Sequence, residues 1–166
     1  RFDWDACYGH FTCLNDCFGT KGFTVARHAL GPGLKLDVYN VHLDAGDCDG
    51  DCAARGKQLR QLRQTIAARS AGVAVIVAGD FNLNFASDDD RSNVAIFQES
   101  AGLQDTCDTT DCGRQLLDRV LYRASPELAL FPSSWELPAE FVDAEGNPLS
   151  DHLPVLTRFM WVGRAR

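Results

Sequence analysis

An unbroken apolar run, Val73 to Val77, leads directly into Ala78-Gly79-Asp80-Phe81-Asn82, so it ends on a carboxylate and a carboxamide. A short run rich in β-branched residues and bounded by glycines fits a buried strand. Such a strand can lie only inside a sheet with covered faces, and its polar terminus then sits on a turn at the rim, where chemistry can use it. Two further segments repeat the arrangement: Val38-Tyr39-Asn40-Val41-His42-Leu43 and Ser150-Asp151-His152-Leu153-Pro154-Val155. Each joins a His or an Asp to a strand-like apolar run.

The surrounding patterning predicts an α/β chain of the α+β kind, with a mixed sheet and outer helices. Gly22 to Leu30 and Leu34 to Leu43 alternate apolar and polar residues across Gly31-Pro32-Gly33, which predicts a hairpin ending at His42. Leu59, Leu62 and Ile66 recur at helical spacing within a helix expected over Ala53 to Arg69, closed by Gly72. Ser87 is placed to cap a second helix from Asp88 to about Ser100, and Asp88, Asp89 and Asp90 then have the bland role of complementing its dipole. Gln115 to Arg123, Leu128 to Phe131 and Leu153 to Val162 read as the remaining strands.

Taken in order, the three polar-ended motifs resemble the endonuclease/exonuclease/phosphatase superfamily, which includes deoxyribonuclease I, abasic-site endonucleases, inositol-polyphosphate phosphatases and bacterial sphingomyelinases. The resemblance covers residues 21 to 162 and implies part of a four-layer α/β sandwich with its site at one end of the sheets. It implies catalytic roles for five residues. His152 would act as general base and Asp118 would orient it; Asp80 would align the attacking water or bind metal. The Asn82 amide would donate to a phosphoryl oxygen, and His42 would stabilise developing charge or protonate the leaving oxygen. Asp151 would bind a divalent metal, Mg2+ or a similar ion, directly or through water. Members of the superfamily also hold this metal with an Asn and a Glu on early strands, and nothing before Lys21 reads as either strand. The expectation is a cysteine-rich segment over 1–20 followed by the C-terminal part of such a domain over 21–166.

Composition bounds the rest. With 166 residues, 45% hydrophobic and 23% charged, the chain can bury one core, and no apolar run approaches a membrane span or a signal peptide at Arg1. Seven cysteines fall into local groups, Cys7, Cys13 and Cys17, then Cys48 and Cys52, then Cys107 and Cys112. Local pairs without His partners point to disulfides and a secreted or periplasmic setting, and not to zinc. The odd seventh cysteine is expected to find its partner on a missing half of the protein. The acidic loop Asp44 to Asp51 lacks the spacing and terminal Glu of an EF-hand. His10 and His28 have no motif around them, and Trp135 and the N-terminal aromatics are expected in the core or in satellite clusters.

A net charge of -7 weighs against a nucleic-acid substrate, while Arg55, Lys57, Arg60, Arg63 and Arg69 read as a solvated helix face. Asp16-Cys17-Phe18-Gly19-Thr20-Lys21-Gly22 and His42-Leu43-Asp44-Ala45-Gly46 resemble bacterial sphingomyelinases more than nucleases. This branch implies a phospholipase C-type phosphodiesterase acting on a phospholipid headgroup, although no apolar membrane-docking hairpin is apparent. Two alternatives stand beside it. One is a secreted DNase-like nuclease using a basic groove that includes Arg55. The other is a catalytically silent fragment, or one chain of a two-chain protein.

Overall fold

In the computed structural model, which describes residues 1–114 and 116–164, a six-stranded mixed sheet carries the core. Its order is β1-β2-β3-β4-β6-β5, from β1 (Phe2–Asp3), β2 (Gly22–Gly31), β3 (Leu34–His42), β4 (Ala74–Asp80), β5 (Gln104–Asp105) and β6 (Asp118–Arg123). Only β3 and β4 run parallel. Parallel neighbours need a long crossover, and helix α1 (Asp49–Arg69) supplies it. Helix α2 (Asp88–Ala101) packs against α1, and the short α3 (Thr106–Thr110) lies beside β6 and β7. A separate antiparallel ribbon joins β7 (Leu128–Glu136) to β8 (Leu156–Gly163).

The apolar run of β4 is buried as its composition requires: Ala74, Val75 and Val77 are fully inaccessible, flanked by Tyr39 and Leu121 from the neighbouring strands. From α1, Leu59, Leu62 and Ile66 close one face of the sheet, each contributing about 1.5–3 kcal/mol relative to an exposed position. Helix α1 starts earlier than Ala53 because the Asp51 carboxylate accepts from the Cys48 N–H at 2.9 Å and holds an additional N-terminal turn. Ser87 caps α2 as expected, and Gly102 ends it in the left-handed conformation.

Several strand boundaries differ from the sequence reading. Strand β7 continues past Phe131 to Glu136, because an irregularity between Pro132 and Ser134 accommodates a residue with no N–H. The last strand begins at Leu156, beyond Pro154. Asp118 opens β6, and Gln115 lies outside the described residues. A short strand does precede Lys21: β1 pairs with β2, and the Phe2 ring stacks on Phe23 at 4.9 Å.

Local pairing of cysteines holds only in part. Cys7–Cys17 and Cys107–Cys112 are local bridges, but Cys48 joins Cys13 and not Cys52. That bridge spans 35 residues and fastens the N-terminal segment to the start of α1, a constraint on the unfolded chain of about 4 kcal/mol. Cys52 is the odd thiol. It is buried against Asp90, at 3.3 Å, and so faces the α1–α2 interface, where a partner chain cannot reach it.

The N-terminal aromatics divide. Phe2 and Trp4 pack on the core, whereas Phe11, Leu14 and Phe18 are 86%, 70% and 60% exposed on the disulfide-held loop. Trp135 is half-buried on β7. No helix among the described residues is long and apolar enough to cross a membrane.

Candidate active site

Strand register assembles the site. His42 pairs with Asp80 across β3 and β4, and Asp80 pairs with Asp118 across β4 and β6, so three site residues stand side by side at one edge of the sheet. Directly paired residues present their side chains to the same face. His42 Nε2 accordingly lies 3.4 Å from Asp80 Oδ2. Gly79 makes this closeness possible: with φ at 138°, a Cβ there would stand 2.1 Å from the Val41 carbonyl oxygen. Any side chain would push β4 away from β3 immediately before Asp80.

The turn after β4 is held from both sides. Phe81 and Leu83 are buried, and between them Asn82 adopts a left-handed φ of 48°, which Asn tolerates better than most residues. Its backbone N–H donates to Asp80 Oδ1 at 2.8 Å, and its side-chain amide donates to Asp80 Oδ2 at 3.0 Å and to the Leu43 carbonyl at 3.1 Å. Asn82 therefore orients Asp80 and joins the turn after β4 to the loop after β3.

His152 arrives from the segment before β8, and its Nδ1 lies 2.5 Å from Asp118 Oδ2. That hydrogen bond raises the His152 pKa, opposed by partial burial, and the Asp118, Asp80 and Asp151 charges add to the rise. His42 shifts the other way: burial and the Lys21 ammonium lower its pKa, only partly offset by Asp80. Asp80, Asp118 and His152 form a group whose ligand atoms all lie within 4.8 Å of one another. Asp151 is not among them; it is exposed and accepts from the Ser150 hydroxyl at 3.4 Å.

Two clefts meet along Gly79 and Asp118. One, of about 520 Å³, is walled by Arg1, Lys21, His42 and Asp80. The other, of about 440 Å³, is walled by His152 together with Phe141, Leu149 and Leu153. A cleft bearing charged side chains and a largely apolar one thus share the Asp118 carboxylate.

Other residues carry weight that their sequence context concealed. Arg55 does not lie on a solvated face; it is buried and paired with Asp90 at 2.6 Å. Asp90, read as a dipole-complementing aspartate, is equally inaccessible. Lys21 pairs with Asp16 at 2.9 Å and donates to the Leu43 carbonyl at 3.4 Å. Arg55 and Asp90 lie 35 residues apart, a separation that gives no periodic signal, and only the tertiary arrangement exposes these roles. The acidic loop contains the start of helix α1, at Asp49. Within it Asp44 is buried, and burial together with the Asp16 charge pushes its carboxyl up to about 6. His10 packs edge-on against Phe18, and His28 is exposed on β2.

No protein-family model matches the chain. Over 170 aligned residues, 92% of this chain, it is 34% identical to a sphingomyelinase of Mycobacterium bovis, and spans about a third (33%) of that relative's length. An endonuclease/exonuclease/phosphatase from Bacteroides vulgatus superposes with a TM-score of 0.62 at 22% identity, over 83% of this chain and 54% of its own. A beta toxin from Staphylococcus aureus with bound magnesium ions superposes with a TM-score of 0.61 at 15% identity, over 93% of this chain and 61% of its own. The architecture that frames the paired histidines and aspartates is therefore shared with these proteins.

Proposed function

We propose that the protein containing this chain is a metal-dependent phosphodiester hydrolase of the endonuclease/exonuclease/phosphatase superfamily, acting on a phospholipid headgroup. One observation carries this reading: Asp118, His152, Asp80 and His42 line the two clefts where they meet, and Asn82 is bonded to Asp80. In-line hydrolysis needs a base for water, donors for the phosphoryl oxygens and a group for the leaving oxygen. With Nδ1 held by Asp118, His152 presents Nε2 to take a proton from water, and the carboxylate stabilises the imidazolium that results. Asp80 is held by Asn82 in position to align that water. His42, whose lowered pKa keeps it neutral at neutral pH, donates toward the leaving oxygen.

The two carboxylates are hard oxygen donors of the kind Mg2+ takes alongside water and substrate phosphate, so Asp80 and Asp118 fit such an ion, whereas Asp151, expected as a metal ligand, lies outside their group. When bound, the ion would neutralise charge on the phosphoryl group. The remaining ligands are expected from the upstream part of the protein, and this chain alone is expected to turn over substrate poorly.

Support for a phospholipid comes from the apolar cleft. Phe141, Leu149 and Leu153 are 52%, 64% and 54% exposed beside His152, suited to the apolar portion of an amphiphile. The nuclease reading loses its groove, since Arg55 is occupied by Asp90 and neither cleft is lined by Lys57, Arg60 or Arg63. Three disulfides among the described residues support export to an oxidising compartment. The deciding experiment incubates the intact protein with sphingomyelin vesicles or single-stranded DNA, each with Mg2+ or a chelator. Metal-dependent release of the phosphorylated headgroup is expected; cleavage of DNA alone would replace the phospholipid reading with the nuclease one.

A further inference from the structure

The loop after β3 follows directly on His42, the last residue of that strand, and the turn after β4 carries Asn82. Both are fastened to one buried ion pair beneath them. Arg55 donates through Nη1 to the Asp44 carbonyl at 3.1 Å and the Gly46 carbonyl at 2.8 Å. Its other nitrogens donate to Asp90 at 3.1, 3.2 and 2.6 Å. Asp90 in turn accepts from the Asn84 N–H at 3.0 Å. Gln58, one turn along α1, accepts from the Asp44 N–H at 2.9 Å. One side of the pair therefore grips the loop after β3, and the other side grips the turn after β4.

An isolated buried ion pair is a poor source of stability, because desolvating two charges cancels much of their attraction, and an apolar pair of similar size often serves as well. Arg55 and Asp90 are both inaccessible, and their hydrogen bonds extend beyond each other only to the two loops, the Cys52 thiol and the α2 cap. A guanidinium is a rigid planar fork, so its donors fix directions as well as distances. An ammonium on a flexible stem at this position would keep the charge and lose the fork.

We propose that the Arg55–Asp90 pair is a positioning device that couples the loop after β3 to the turn after β4 and so fixes Asn82 against Asp80, whose own placement beside His42 is set by strand pairing. The point where the loops meet is the Asn82 side-chain amide on the Leu43 carbonyl, directly above the pair in the chain of contacts. Arg55 and Asp90 touch neither cleft, so they act through the loops and not on substrate. The inference takes its site from the phosphodiesterase reading, but the coupling itself is measurable without turnover.

The test compares Arg55→Lys, and the volume-matched Arg55→Met/Asp90→Leu double variant, with the parent protein. The Asn82 side-chain amide protons and the backbone amides of 44–46 and 82–84 are followed by NMR hydrogen exchange, with Val77 and Leu121 as references inside the sheet. Both variants are expected to quicken exchange in the two loops about tenfold while the sheet amides hold. In the intact protein kcat should fall by about tenfold or more with KM within about twofold, since small displacements of reacting groups act on the chemical step. Unchanged loop exchange in a folded variant, or loosening of loops and sheet together, would overturn the coupling and leave the pair a stability element. Loss of loop protection in a protein that hydrolyses no phosphodiester would uphold the coupling and reject the functional reading instead.

Discussion

Two His–Asp pairs stand within a few residues of each other at the sheet edge, and their surroundings tune them in opposite directions. His152 and Asp118 meet at 2.5 Å on a half-exposed segment, and the contact raises the imidazole pKa. His42 and Asp80 are farther apart at 3.4 Å, and His42 also faces the Lys21 charge and loses solvent, which lowers its pKa. Identical chemical partners thus yield one imidazole suited to gaining a proton and one kept neutral. Burial, the distance to the carboxylate and the nearby Lys21 ammonium decide between them.

The comparison breaks first, and most severely, at the group that takes the proton. His152→Ala in the intact protein is expected to lower kcat by about 10³-fold or more, with Asp80→Ala close behind, while circular dichroism stays unchanged. A near-normal rate in either folded variant would remove that residue from the site. Asp118→Asn should cost about 10²–10⁴-fold through loss of orientation. It should also move the acid limb of the pH–rate profile to lower pH, because His152 is raised only while Asp118 is charged beside it. The stability sign follows: the Asp118–imidazolium interaction is fully present below the ordinary His pKa and lost as pH rises through the raised one. Chemical denaturation should therefore show Asp118→Asn weaker than the parent at low pH and similar to it at high pH.

Smaller effects sharpen the second pair. His42→Asn should lower kcat by about 10–100-fold, less than loss of the base, with the rate on substrates bearing good leaving groups least affected. Lys21→Met should raise the His42 pKa, observed by NMR titration, without moving His152 upward as well. Asp151→Asn should have the least effect, within about threefold in kcat at saturating Mg2+, and show instead as a higher magnesium requirement.

Legibility followed the range of the interactions. The buried run of β4, the hairpin into His42, the helical face Leu59-Leu62-Ile66 and the Ser87 cap depend on neighbours within a turn or a strand, and their residues announce them. Cys48 misled because its spacing from Cys52 looks local, whereas α1 turns Cys52 inward toward Asp90 and leaves Cys48 to meet Cys13. Arg55 misled for the same reason: its basic neighbours on α1 face outward, and it lies on the inward side with Gln58.

What the sequence determined by itself was the chemistry on offer: histidines, aspartates and an asparagine at strand ends, on runs too apolar to lie anywhere but inside a sheet. What tertiary structure alone decided was how those groups differ. Whether an imidazole is raised or lowered depends on how far it is buried and on its distances to a carboxylate and an ammonium contributed by distant segments. Those separations are set by strand register and by the missing side chain at Gly79, between segments that lie far apart in the chain.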